Sequence, residues 1–262
     1  MTVAHSDFDI DTAVEAMGDN HFRAVLSDRW NARHGVVNGG YMLAVCLRAI
    51  ARTLPFADPV TVSAHYLRPG SPGDAVAETE AVRLGRRIAT GQARLCQGDV
   101  EIVRATASFA DLDAEGETAR FDEPPALPQP EECVPLEAPP PGATITERVD
   151  YRYPTPPGWQ SGHPRGQPHA AFWVRLADGR APDPLSLALL TDAAAPAVLE
   201  IGARGSSTIE LTAHLRARPE PGWLACRADT RHVINGYHEE DFEIWDSGGR
   251  LVAQARQLAR LA

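Results

Sequence analysis

The chain has 262 residues, of which 44% are hydrophobic and 23% charged, with a formal net charge of −10 and a pI near 5.4. That length suits one large domain or two small ones, and the hydrophobic fraction predicts a real core rather than a disordered chain. The acidic balance argues against a nucleic-acid partner, which would need a basic face to meet phosphates. The absence of any lysine excludes a pyridoxal Schiff base, a P-loop and a lysine general base.

The N-terminus carries acidic residues early and no signal-peptide pattern, and no apolar run reaches the ~20 residues of a membrane span. The default expectation is therefore a cytoplasmic protein with no membrane partner. The first clear element follows HGVVNGGY (34–41), where a Gly-Gly pair opens a predicted helix over Asn38 to Leu54. Two readings fit Asn38, Gly39 and Gly40. They are plain helix initiation, or a helix N-terminus whose free N–H groups meet a developing oxyanion on a closely approaching carbonyl. His34 is expected to be structural, with substrate contact as its alternative. Alternating strands are predicted next, at Val60–Leu67, Ala75–Val82, Arg87–Gln97 and Glu101–Phe109. From Glu115 to about Pro141 the chain is proline-rich, which predicts an extended surface linker. A second helix is expected over about Leu185 to Leu199. Strands follow at Ser206–Ala217, Trp223–Val233, His238–Asp246 and Arg250–Leu261.

The two sides of the linker thus repeat one order of elements at an offset of roughly 150 residues, the mark of an internal duplication. One long helix before several long antiparallel strands predicts an α+β architecture with a sheet wrapped around the helix, present twice. The expected organisation is an N-terminal unit over 1–114, a linker over 115–145 and a C-terminal unit over 146–262.

Three residues break the patterns that contain them. Asp192 falls in the apolar run Pro184–Leu199, about two turns into the predicted helix and so away from its N-cap. It is either a functional or paired acid, or a group facing solvent. In the last strand Gln257 shares a face with Leu251, Ala253, Ala255, Ala259 and Leu261, so its amide must find a partner, functional or backbone. Thr208 falls by strict alternation on the polar face of its strand; a bulge would turn it inward, and Ser207 is the substitute. An acid, a hydroxyl and an amide can together hold a water molecule. By face parity the first-half counterpart of Gln257 is about Phe109, with Ser108 beside it, and that of Asp192 is near Met42 and Leu43. One competent site per chain is therefore expected. Cys46, Cys96, Cys133 and Cys226 form no CxxC pair and the histidines no metal-binding spacing, so no metal site is expected.

The segments NGGY (38–41), AHYLRPGSPGD (64–74) and ATASF (105–109), with LLTDAA (189–194), STIEL (207–211) and GGRLVAQARQ (248–257), carry a resemblance. In their order and spacing the chain resembles the acyl-CoA thioesterase II-like (TesB-like) family, whose fold is a double hotdog. The linker and the stretch from Trp159 to Trp173 depart from that pattern. The resemblance implies hydrolysis of acyl-CoA, in fatty acid metabolism, to a free acid and coenzyme A, with no cofactor. It also implies a homodimer or higher homo-oligomer. The family's catalytic Asp, Thr and Gln fall on Asp192, Thr208 and Gln257, with Asn38, Gly39 and Gly40 expected at the substrate. Arg68, Arg86, Arg87 and Arg218 are candidates for the phosphates of coenzyme A, and Leu43, Leu47 and Leu190 for an acyl tunnel. The expected mechanism is attack by a water that Asp192 deprotonates, with Asp192 as a nucleophile the other possibility. Two competing readings are a non-catalytic acyl-CoA or acyl-chain binding protein on the same fold, and a hotdog hydratase or dehydratase. The latter would want an Asp–His pair at the helix start.

Overall fold

Asn38 begins the helix that organises the first half: its Oδ1 accepts the Tyr41 N–H, and helix α2 runs from Gly39 to Ala51. The helix is apolar almost all round, so it is buried almost all round, as a helix enclosed by a sheet must be. The computed structural model describes residues 6–33, 35–137, 139 and 141–262. A short helix α1 (Asp7–Asp11) precedes α2, and α3 (Pro184–Leu190) is its second-half counterpart.

The strands of the first half are β1 (Glu15–Gly18), β2 (His21–Leu26), β3 (Asn31–Arg33), β4 (Val36–Val37), β5 (Asp58–Tyr66), β6 (Gly73–Leu84), β7 (Ala89–Gln97) and β8 (Val100–Ala110). Those that follow are β9 (Val134–Pro135), β10 (Val149–Tyr153), β11 (His169–Leu176), β12 (Ser206–Leu215), β13 (Leu224–Asp229), β14 (Val233–Ile234), β15 (Tyr237–Trp245) and β16 (Leu251–Leu261). Apart from the β3–β4 hairpin they form one antiparallel sheet, in the order β1-β2-β6-β7-β8-β5-β12-β16-β15-β13-β11-β10-β9, with β14 on β15. Apart from β9 at one edge, the sheet reads the same from either end toward its middle, where β5 pairs with β12 and Ser63 lies opposite Thr212. Their hydroxyls share a 2.6 Å hydrogen bond at that centre. This is the double hotdog: two helix-in-sheet units fused through one strand pair, with α2 and α3 packed together on the concave side.

The duplication extends to local detail. A β-bulge interrupts β5 between Pro59 and Thr61 against β8, and another interrupts β12 between Thr208 and Glu210 against β16. With Ser63 matched to Thr212, Pro59 corresponds to Thr208. Ala107, opposite Val62, corresponds to Gln257, opposite Leu211. The counterpart expected from face parity, Phe109, instead matches Ala259.

Two elements differ from the sequence expectation. The second helix stops at Leu190, with Thr191 as its C-cap, rather than running to Leu199. Pro196 is the cause: it has no N–H for the carbonyl of residue 192, and its ring would clash there in a continuing helix. The chain turns, then forms a short 3-10 segment over Ala197–Ile201. Asp192 therefore lies in the turn beyond α3, not two turns inside a helix. The segment from Trp159 to Trp173, which follows β10, starts in a 3-10 turn (Gly158–Ser161) and joins the sheet only from His169, as the first part of β11. There Phe172 packs against Tyr153 and Phe242.

Helix α1 clasps the two halves. Its Asp9 pairs with Arg48 of α2 and with Arg180 before α3, and its Asp7 pairs with Arg29 and with Arg148. Its Asp11 pairs with Arg29 and accepts the Trp30 indole N–H.

Candidate active site

The break after α3 sets the geometry of Asp192. In an unbroken helix its carbonyl would await the N–H of residue 196, which is proline. Here Asn38 Nδ2 donates to that carbonyl at 2.8 Å. The carboxylate of Asp192 reaches the start of α2, where its Oδ2 accepts the Gly40 N–H at 2.8 Å and a longer contact from Asn38 Nδ2 at 3.4 Å. An acid at a helix N-terminus meets unsatisfied N–H groups and a favourable dipole. Burial nevertheless dominates: it pushes the Asp192 carboxyl up to about 6, while the Gly40 and Asn38 hydrogen bonds oppose the rise.

The two glycines permit this approach. A Cβ on Gly40 would sit 2.4 Å from the Leu189 carbonyl oxygen, and one on Gly39 would sit 2.7 Å from Asp192 Oδ2 and 2.9 Å from the Tyr66 ring. The Tyr66 hydroxyl is buried with no partner among the described residues.

A second group of residues lies on the sheet beneath. Opposed residues in an antiparallel pair face the same side. Thr208 lies opposite Ala259, on the core face with Gln257, because the bulge at Ile209 inverts the alternation. Ser207 lies opposite Arg260 and is exposed on the outer face, so it is not the inward hydroxyl. Thr208 Oγ1 donates to Gln257 Oε1 at 2.6 Å. Gln257 Nε2 donates to Glu240 Oε1 at 3.0 Å, and Glu240 Oε2 accepts the Ala197 N–H at 2.6 Å. Gln257 and Glu240 are 7% and 4% exposed. Burial pushes the Glu240 carboxyl up to about 7, against the Ala197 and Gln257 hydrogen bonds, and the charge of Asp192 adds to the rise. The charge of Asp192 is thus felt at Glu240, and α3 packs on β12, β16 and β5.

Glu240 is absent from the sequence expectations although its signal was there. In HEEDFEIW, period two places His238 and Glu240 on the core face with Phe242 and Ile244. Two ionisable groups on a buried face mark a site as Gln257 does.

The first half carries none of this chemistry. At the positions matching Thr208, Gln257 and Glu240 stand Pro59, Ala107 and Gly91. Its helix start, by contrast, is the one with two glycines; α3 begins with Pro184 behind an Asp183 cap. The acid and amide thus come from one half and the open helix N-terminus from the other.

Several expected residues have other employment. Both polar atoms of the Asn38 side chain are used, on Tyr41 and on Asp192. Arg218 is paired with Asp58 and Asp113. Leu43, Leu47 and Leu190 are sealed in the core. His34 lies outside the described residues. The four cysteines are free and buried, and among the described residues no cluster of His, Cys, Asp and Glu has the arrangement of a metal site.

The double hotdog thus carries a buried acid held at a helix start and a hydroxyl–amide pair on the core face of its sheet. The profile of the acyl-CoA thioesterase N-terminal domain matches residues 26–110, and that of the C-terminal domain matches residues 130–261. The chain belongs to this acyl-CoA thioesterase family and is a thioesterase; membership implies an acyl-CoA substrate. An uncharacterized protein of Mycobacterium tuberculosis is 31% identical over 268 residues, spanning 91% of this chain and 90% of its own. A crystal structure from Thermobifida fusca, described as a candidate thioesterase II, is 33% identical, with 99% of both chains covered and a TM-score of 0.90. The fold is shared at lower identity by an acyl-CoA thioesterase II from Mycobacterium marinum, at 20% identity, 97% and 98% coverage and a TM-score of 0.75. Among the described residues no helix is long and apolar enough to cross a membrane.

Proposed function

We propose that the protein hydrolyses an acyl-CoA thioester to a free carboxylic acid and coenzyme A by water attack assisted by Asp192. The observation that carries this reading is the Asp192 carboxylate, buried, raised to about 6 and aimed at the start of α2. A base near neutrality takes a proton from water and still releases it at the end of the cycle. Thr208 and Gln257 hold the water. Its oxygen bonds to the thioester carbon, one of its protons passes to Asp192, and collapse of the tetrahedral intermediate expels the coenzyme A thiolate.

With the Gly40 N–H given to Asp192, the Gly39 N–H, which has no acceptor among the described residues, is the one left to meet the oxyanion. Asn38 acts here by holding Asp192 rather than by touching substrate. The acyl chain enters beside α2 by parting Leu43, Leu47 and Leu190. The unit acts as a homodimer or larger homo-oligomer, in the cytoplasm.

The test is coenzyme A release from a panel of short to long, aliphatic and aromatic acyl-CoAs, with wild type beside Asp192→Ala and Thr208→Val. Turnover should fall by at least about 100-fold in the first and about 10- to 100-fold in the second, with both folds intact. Full activity in Asp192→Ala would overturn the mechanism. Binding without turnover by wild type on every substrate would overturn the activity.

A further inference from the structure

Glu240 is a buried carboxyl that the hydrolytic mechanism does not use, directly opposite Gln257 in the β15–β16 pair. We propose that Glu240 is a positioning residue: it fixes the orientation of the Gln257 amide and, through it, the direction of the Thr208 hydroxyl that faces the attacking water. The proposal rests on the hydrolytic reading above.

An ionised carboxylate only accepts. One Glu240 oxygen takes the Ala197 N–H, and the other is met by Gln257 Nε2. The amide nitrogen therefore points at Glu240 and the amide oxygen at Thr208. Thr208 has one proton, and it is given to Gln257 Oε1, so only its lone pairs face outward. Gln257 Nε2 keeps a second N–H. A water that donates to Thr208 and to Asp192 and accepts from Gln257 keeps one lone pair for the thioester carbon.

Protonated Glu240 inverts the chain. Its O–H donates to Gln257 Oε1 once the amide turns over, Nε2 then faces Thr208, and the Thr208 proton swings outward. The water is now asked to accept where it had to donate, and its attacking lone pair is occupied. Apart from the proton that Glu240 takes from solvent, no covalent bond changes; only the polarity of the two groups holding the water is reversed.

The groups facing Glu240 bear on its titration. They are Gln257 from β16, the Ala197 N–H from the 3-10 segment and Asp192 from the turn after α3. The charge of Asp229 reaches it from β13, although Asp229 lies opposite Asp241 on the outer face, and His238 lies two residues back along β15. The carboxylates favour its protonated form, and among the described residues no arginine acts on it. His238 is kept neutral, chiefly by burial, and its Nε2 has no partner among the described residues. Turnover by this route needs both carboxylates ionised, and Glu240, at about 7, gives up its proton after Asp192, at about 6, as pH rises.

The decisive variant is Glu240→Gln. It keeps the shape and still accepts the Ala197 N–H, but its own Nε2 donates to Gln257 Oε1 and locks the inverted polarity. The expected result is a fall in kcat of at least about tenfold with KM unchanged. The acidic limb of log kcat against pH steepens toward a two-proton slope in wild type and has a one-proton slope in the variant. Should Glu240→Gln not fold, Glu240→Asp keeps the charge at a shorter reach and is expected to lose kcat while retaining the two-proton limb.

A readout independent of turnover is the side-chain amide resonances of Gln257 in 15N-labelled protein, assigned by their loss in Gln257→Met. They should titrate near neutrality in wild type and in Asp192→Asn, and be flat in Glu240→Gln. Flat resonances in wild type, or a Glu240→Gln enzyme with unchanged kcat and limb, would overturn the proposal. Absence of wild-type turnover on any acyl-CoA would overturn the hydrolytic reading instead, and the amide titration would still decide the role of Glu240.

Discussion

Gly40→Ala tests whether the contact between the start of α2 and the end of α3 builds the site. The added methyl would lie 2.4 Å from the Leu189 carbonyl oxygen and 3.1 Å from Asp192 Cβ. An ordinary carbon–oxygen contact is about 1 Å longer, and the obstacle is backbone, so the helices must part by roughly that amount. Overpacking of this kind costs about 1–3 kcal/mol, against a few tenths to 1 kcal/mol returned by the higher helix propensity of alanine. The net loss should lower Tm by about 2–4 °C per kcal/mol. Parting the helices by 1 Å stretches the 2.8 Å bond from Gly40 N–H to Asp192 out of hydrogen-bond range. That bond opposes the rise in the Asp192 pKa, so its loss moves the pKa further above 6. Thermal unfolding and a kcat–pH profile on the best acyl-CoA check both effects: Tm should fall, the acidic limb should shift to higher pH, and kcat should drop by about 100-fold. A Gly40→Ala protein with wild-type Tm and an unmoved limb would refute the claim that this glycine carries the approach.

Two further outcomes follow from buried groups. Asp192 has a folded-state pKa raised above its unfolded value, so the stability linked to it is fully present below about pH 4 and is lost as pH rises through about 6. Asp192→Asn should therefore unfold later than wild type at pH 8, by up to about 3 kcal/mol, and show no such gain at pH 4; denaturant titrations at the two pH values test this. Tyr66→Phe removes a buried hydroxyl with no partner while keeping the ring against Gly39. It should raise stability by about 1 kcal/mol, and a marked fall in Tm would show that the hydroxyl is satisfied in solution.

The strongly periodic parts of the molecule were legible in the sequence. Asn38, two glycines and a run of apolar residues specified α2, and alternation specified β5, β7, β8, β15 and β16 to within a few residues. The end of the second helix is not legible because apolar content continues past Leu190, while a single proline, four residues beyond Asp192, bars the helix from running on to Leu199. The first strands of each unit were missed for different reasons. β2 is a short strand just beyond the acidic N-terminal segment, and β11 follows a stretch broken by Gly and Pro. Gln257 stood out because the alternation around it is unbroken. Thr208 could not be placed, since a bulge leaves no mark in residue type and register is a property of the pair β12–β16. Glu240 was readable by the argument applied to Gln257, but an acid-rich strand hides one inward acid among outward ones.

The pairing of β5 with β12 carries a consequence for what this fold can become. When two copies of one unit assemble as separate chains, every substitution appears twice and each site must serve as both contributor and recipient. Joining the copies end to end removes that obligation. The first unit can place proline, alanine and glycine where the second holds threonine, glutamine and glutamate, and can give its helix start to a carboxylate that the second unit supplies. Asymmetry of this kind also frees the matching positions of the first unit for change, so variation there can retune packing without disturbing the Thr208–Gln257–Glu240 hydrogen bonds.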